Sequence, residues 1–183
     1  MITIIHPADR DYRPHPNRTD GFRLLTDTFR QMHDINPQYL TFDLRTLPPH
    51  QYNAAYHFHR YADEMFVIFS GAATLRTPDG LQEVAAGDII FFGAGETGAH
   101  QLYNHTAEPC EYLDLRTSIG HDVCEYPDSD KLILMPQADS LNRHPQPAYF
   151  DGEENVDEIW NRLRAKQEAK AANRKSTELE EQI

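Results

Sequence analysis

The run His57-Phe58-His59-Arg60-Tyr61-Ala62-Asp63-Glu64-Met65-Phe66-Val67-Ile68-Phe69-Ser70-Gly71 carries both the fold signal and the chemical one. Residues two apart on a strand share a face, so His57 and His59 point the same way. Glu64 then opens a second strand with Phe66 and Ile68 on its side, while Met65, Val67 and Phe69 take the other. Gly71 punctuates the end of the run. No helical period fits these residues.

The same period of two continues outward. Leu40, Phe42 and Leu44 alternate with Thr41, Asp43 and Arg45, a half-buried strand that Pro48-Pro49 ends. Further strands are expected near 52–59, 64–70, 72–77, 81–85, 88–92, 100–105 and 110–117. Thr77-Pro78-Asp79-Gly80 makes a hairpin turn, because Pro presets one dihedral and Gly supplies the positive one. Many short strands at close spacing predict an all-β antiparallel barrel or sandwich over residues 38–118.

The flanks read differently. Residues 1–37 are broken by Pro7, Pro14, Pro16 and Pro37 and are expected to form an N-terminal arm, with one short strand around Phe22–Thr28. Residues 119–150 are read as an irregular segment packing on the barrel. Residues 151–183 are read as a C-terminal helix. Asp151-Gly-Glu-Glu154 has the form of a capping box, and acids at 153, 154, 157 and 158 give way to Arg162, Arg164, Lys166 and Lys170. Val156, Ile159, Trp160 and Leu163 form the stripe by which that helix is expected to dock, fraying towards Ile183.

With 183 residues the chain fits one domain, and nine Phe and nine Tyr supply a core although only 39% of residues are hydrophobic. Acids outnumber bases 29 to 17, giving a formal charge of -12. That balance argues against nucleic acid and against anionic membrane surfaces, both of which are bound through Lys and Arg. No window reaches the roughly 18 apolar residues of a membrane span. Two cysteines do not make a disulfide scaffold, so a reduced, cytoplasmic chain is expected. Cys110 and Cys124 have no basic or helix-terminal context and are read as structural.

The chemistry gathers on His57, His59, Glu64 and His100. His100 begins a third strand, sharing a side with Leu102 and Asn104. Closing the sheet would bring three imidazoles and one carboxylate to one interior point, a mononuclear divalent-metal site with open positions. Ten histidines in one chain give some pairs by chance, so the argument rests on the whole constellation. His6, His15, His33, His50, His105, His121 and His144 are expected in loops or at the surface, and Arg60 is read as a solvated turn residue. Tyr52, Tyr56, Tyr103 and Tyr112 are read as packing. Gly93-Ala-Gly95-Glu-Thr-Gly98 imitates a dinucleotide fingerprint, but a strand follows it where a helix would have to open.

Two spaced motifs here resemble those of the cupin superfamily, in its small single-domain bacterial form. The first, G-x5-H-x-H-x3,4-E-x6-G, is met by His57, His59, Glu64 and Gly71, with Gln51 where the first Gly belongs. The second, G-x5-P-x-G-x2-H-x3-N, is met by Gly87, Gly95, His100 and Asn104, with Gly93 in place of Pro and two extra residues before His100. The departures fall in turns, where length is tolerated best. The resemblance implies a double-stranded β-helix, a homodimer paired through sheet edges, and one divalent ion (Fe, Mn, Ni or Zn) on His57, His59, Glu64 and His100. Phe66, Ile68 and Leu102 would wall the interior. The function expected first is a small-molecule enzyme with dioxygenase-like chemistry on an oxygenated substrate. The alternatives are a sugar or sugar-phosphate isomerase or epimerase, and a non-catalytic binding or sensor protein. No general acid or base can be assigned from the sequence.

Overall fold

Alternation of large buried and half-exposed side chains builds most of the strands. In chain order they are β1 (Arg13–Pro14), β2 (Leu25–Thr28), β3 (Leu40–Leu47), β4 (Phe58–His59), β5 (Glu64–Ser70), β6 (Ala72–Thr77) and β7 (Gly80–Ala85). There follow β8 (Ile89–Phe92), β9 (Gln101–Tyr103), β10 (Cys110–Thr117), β11 (Asp122–Tyr126), β12 (Lys131–Met135) and β13 (Asp139–Asn142). The computed structural model describes residues 2–16, 18–29, 33–118, 120–146, 151 and 155–180. The chain divides into a β-rich unit, Met1–His144, and a second unit, Pro145–Ile183.

Three antiparallel sheets make up the β-rich unit: β1-β2-β3-β10-β5-β8, β13-β12-β11-β4, and β7-β6-β9. β10 is the spine of the first. It pairs over eight positions with β3, from Cys110 opposite Leu47 to Thr117 opposite Leu40, and it pairs with β5 on its other side. On β5, Glu64, Phe66 and Ile68 are buried while Met65 and Val67 are half-buried, the alternation read from the sequence. Leu24, Leu47, Phe66, Ile68, Leu102 and Tyr112 lie at the centre of the apolar core. The fold is the jelly-roll-like β architecture expected for residues 38–118, preceded by an arm and followed by a helix.

Two expectations are corrected. The strand expected at 52–59 forms a ladder only at Phe58–His59, with isolated bridges at Tyr52–Tyr103 and His57–His100. Between them side chains replace the ladder: Arg18 Nη1 donates to the Asn53 carbonyl, Gln101 Nε2 donates to the Ala54 carbonyl, and Asn53 Oδ1 accepts from the Leu102 amide. Residues 119–150, read as irregular, hold β11, β12 and β13, and β11 pairs with β12 in full register. All five residues of β12 are half-buried and all four of β13 are exposed, so neither shows the alternation that marks a strand.

The arm is tied into the first sheet, since β2 pairs with β3 from Leu25 opposite Thr46 to Thr28 opposite Asp43. His33 lies in a bend, as expected of a loop histidine, and its Nε2 is 2.9 Å from the fully buried Asp27 carboxylate. In the second unit, α1 spans Val156–Glu180. Glu153 and Glu154 of the expected capping box lie outside the described residues, as does Ile183. Ile159, Trp160 and Leu163, the stripe expected to dock, are exposed. Among the described residues no helix is long and apolar enough to cross a membrane.

Candidate metal centre

The four side chains picked out by their spacing are all buried, and the strands bring them towards one another. Ligand atoms of His57, Glu64 and His100 lie within 4.8 Å of one another. Glu64 Oε2 is 3.2 Å from His100 Nε2 and 3.4 Å from His59 Nε2, so Glu64 links His59 to the other two. The backbone bridge between His57 and His100 holds those two strands in register.

Each imidazole is aimed by a hydrogen bond from its Nδ1. His57 Nδ1 donates to the Ala55 carbonyl at 2.8 Å and His100 Nδ1 to the Gly98 carbonyl at 2.9 Å. His59 Nδ1 donates to Asp122 Oδ2 at 2.5 Å. Because those nitrogens carry the protons, the Nε2 lone pairs are left facing inward, the arrangement that orients histidine metal ligands. His100 is further fixed by rings: Phe92 stacks on it at 3.7 Å between centroids, and Phe66 meets it edge-on at 5.3 Å.

The electrostatics follow from burial. Loss of solvent, and then the neighbouring imidazoles, lower His57 to about 3, so it stays neutral and able to ligate. Burial alone would raise Glu64, but the surrounding histidines outweigh it and hold the carboxyl well below its usual range. Burial would also lower His100, and the Glu64 carboxylate reverses that, leaving His100 raised. Asp122 shows the same contest, with His59 winning over burial and keeping it ionised.

Whether these residues suit a divalent cation can be judged from their unmet bonding. Glu64 Oε2 and His100 Nε2 are sealed from solvent and 3.2 Å apart, and with the His100 proton on Nδ1 the two face each other as acceptors with no donor between them. Buried polar atoms seldom go unsatisfied without a reason. The inward Nε2 lone pairs of His57 and His100, that of His59, which accepts a long hydrogen bond from Arg116 Nη1 at 3.3 Å, and the Glu64 carboxylate are a borderline donor set suited to first-row divalent metals. The residues therefore fit such an ion.

A cavity of about 350 Å³ opens on this cluster, lined by His57, His59 and Glu64 together with Arg18, Arg116 and Tyr126. Phe66 lines it as expected, but Ile68 and Leu102 do not: both are in the packed core, and Phe42, Ile133 and Met135 supply the apolar wall instead. His15, expected at the surface, also lines this cavity. Arg60 is exposed, as expected of a solvated turn residue, and its guanidinium also pairs with Glu125, which accepts from Arg143 at 2.9 Å. Among the expected packing tyrosines, Tyr112 is fully buried, and Tyr52 and Tyr103 stack at 4.6 Å.

Several residues of the site escaped the sequence reading. Asp122, Cys124 and Tyr126 come from β11, where the neighbours Cys124 and Glu125 are both buried and no period of two marks a strand. Cys124 lies with His57 and His59 in a second group whose ligand atoms are within 4.8 Å of one another. Burial pushes its thiol up to about 12. Arg45 is neutralised by Asp114 at 2.7 Å and Asp43 at 3.0 Å. Burial, against the attraction of Arg45, pushes the Asp114 carboxyl up to about 7.

The Cupin domain family model matches residues 43–116. Among solved structures, a cupin sugar phosphate isomerase from Silicibacter pomeroyi is 20% identical, with a TM-score of 0.67 over 81% of this chain and 98% of its own. A protein provisionally named sugar phosphate isomerase, from Acidithiobacillus ferrooxidans, is 19% identical, with a TM-score of 0.64 over 76% of this chain and 88% of its own. A polyketide cyclase from Streptomyces resistomycificus is 20% identical, with a TM-score of 0.52 over 64% of this chain and 80% of its own. At these identities the likeness is one of fold. No curated protein matches the sequence. Both spaced motifs, Gln51 to Gly71 and Gly87 to Asn104, fall within the stretch that the Cupin domain model matches, so the chain carries a cupin domain over residues 43–116.

Proposed function

We propose that this cupin is a metal-dependent enzyme acting on a small anionic, oxygenated substrate, with isomerisation of a sugar phosphate as its reaction class. The observation that carries the reading is the placement of Arg116. Its Nη1 donates to His59 Nε2 at 3.3 Å, and among the described residues no carboxylate pairs with it. Arg18, in the same cavity, has the Asn53 carbonyl as its partner and likewise no carboxylate. With Arg45 paired to Asp43 and Asp114, Arg18 and Arg116 are the guanidiniums of this cavity left without a carboxylate among the described residues, and they offer an anionic group a place to bind.

A divalent ion on His57, His59, Glu64 and His100 would act as a Lewis acid towards a substrate carbonyl or hydroxyl. Arg116 and Arg18 would hold the anionic group, fixing which carbons face the cluster. Burial raises the Tyr126 phenol, so its Oη keeps its proton and can donate it in a hydrogen bond to a substrate oxygen. Phe42, Phe66, Ile133 and Met135 would exclude water and so strengthen each of these contacts. Two neighbours of the same fold bear the name sugar phosphate isomerase, which supports this class over the dioxygenase reading.

The test is interconversion of aldose and ketose phosphates by protein loaded in turn with zinc, manganese, nickel and iron. Turnover that falls with Arg116→Ala, chiefly through a raised KM for the phosphorylated substrate, supports the proposal. Oxygen uptake by the iron-loaded protein on enediols or catechols, without isomerisation, would return the dioxygenase reading, which the His-rich donor set also suits. Tight binding without turnover of any substrate would favour a sensor.

A further inference from the structure

We propose that Cys124 supplies a thiolate to the same ion, making the donor set of this chain softer than three histidines and a carboxylate. The inference rests on the metal reading of the site. In the β11–β4 ladder Cys124 stands directly opposite His59. Residues opposite each other in an antiparallel pair project to the same face, with Cβ atoms about 4.5–5.5 Å apart. The Cys124 side chain is therefore carried to the interior beside the His59 ring, and its Sγ lies within 4.8 Å of ligand nitrogens of both His57 and His59.

His57 belongs to two overlapping donor groups, one with Glu64 and His100 and one with His59 and Cys124. All five side chains are buried. Glu64 Oε2 and His100 Nε2, 5% and 1% exposed as residues, face each other with no donor between them, an observation separate from the Cys124 geometry that fits a cation among these side chains. Cys124 is a free thiol, so no disulfide competes for its sulfur. Ligation forms one metal–sulfur bond and releases the thiol proton to solvent. A soft donor beside imidazoles selects zinc or cobalt over magnesium or manganese. Cys110 serves as an internal control, because it sits in the apolar core with Leu47 and Tyr112.

Cobalt(II) titration of the metal-free protein tests this directly, since a thiolate ligand adds an intense near-ultraviolet charge-transfer band to the visible ligand-field bands. The band is expected in the wild type and in Cys110→Ser, and it is expected to vanish in Cys124→Ser while the ligand-field bands remain. Ligand-field bands without charge transfer in the wild type, or a band that survives Cys124→Ser, would overturn the proposal. Absence of both sets of bands would overturn it together with the metal reading beneath it. Should Cys124→Ser fail to fold, X-ray absorption of the zinc-loaded Cys110→Ser protein decides the matter. A sulfur neighbour at about 2.3 Å supports thiolate ligation, and a shell of nitrogen and oxygen alone refutes it.

Discussion

His59 Nδ1 donates a 2.5 Å hydrogen bond to Asp122 Oδ2 across 63 residues of sequence. The other Asp122 oxygen accepts from the Tyr61 amide at 3.0 Å, so one carboxylate sets both the ring and the turn that follows it. Orienting carboxylates of this kind raise the basicity of the imidazole and fix its tautomer.

Asp122→Asn should therefore weaken metal affinity by about 10–100-fold while the fold is kept. Competition with a chromophoric chelator reads the affinity, and circular dichroism reads the fold. Unchanged affinity would mean that His59 does not depend on this partner.

Alanine at His57, His59, Glu64 or His100 should lower the metal content of purified protein sharply without loss of the β-rich spectrum. The double variant His57→Ala with His100→Ala removes both histidines of the group that includes Glu64. Elemental analysis at full occupancy in that double variant would sink the site.

The metal-free protein should lose stability as pH falls from about 6.5 towards 3. Over that window the unfolded chain binds a proton at His57 that the folded chain refuses, because burial lowers His57 from 6.5 to about 3. Stability from this group is complete above its unfolded value and declines on acidification, at up to about 1.4 kcal/mol per pH unit. Glu64, also lowered, adds acid sensitivity of the same sign. His100, raised, works oppositely: its contribution is full below 6.5 and is lost as pH rises through its folded value. Urea unfolding of His57→Phe should show a shallower acid limb than wild type, and parallel limbs would refute the assignment.

Gly98→Ala should destabilise the β-rich unit by about 1–3 kcal/mol, the usual cost of overpacking. A Cβ at Gly98 would overlap the Gly93 carbonyl oxygen. The Gly98 carbonyl also accepts from His100 Nδ1, so metal affinity should fall together with Tm. A drop in Tm with affinity intact would separate the turn from the site.

The barrel strands were readable because burial alternates along them, as on β5, where Glu64, Phe66 and Ile68 turn inward. The convergence of His57, His59, Glu64 and His100 followed from that parity. What stayed hidden depends on partners distant in sequence. Arg60 and Arg116 look equally free in the chain, but Arg60 finds Glu125, 65 residues away, while Arg116 finds His59. β12 and β13 lack alternation altogether, so only the pairing of β12 with β11, and of β13 with β12, reveals them as strands. Parity gives the face and not the depth, so Ile68 and Leu102 share the face of Glu64 and His100 yet lie deeper, in the core.

The reliance of His59 on Asp122 also sets an order of events during synthesis. All four donors have emerged once His100 is made, but Asp122, Cys124, Ile133 and Met135, which aim or enclose them, come later from β11 and β12. Contacts of such long sequence separation close late, after the cost of ordering the intervening loop has been met. A nascent chain that ends at β10 would carry the donors with the His59 ring unanchored. A chain truncated after β10 would thus keep every residue of the two spaced motifs and lose the carboxylate that aims one of their imidazoles.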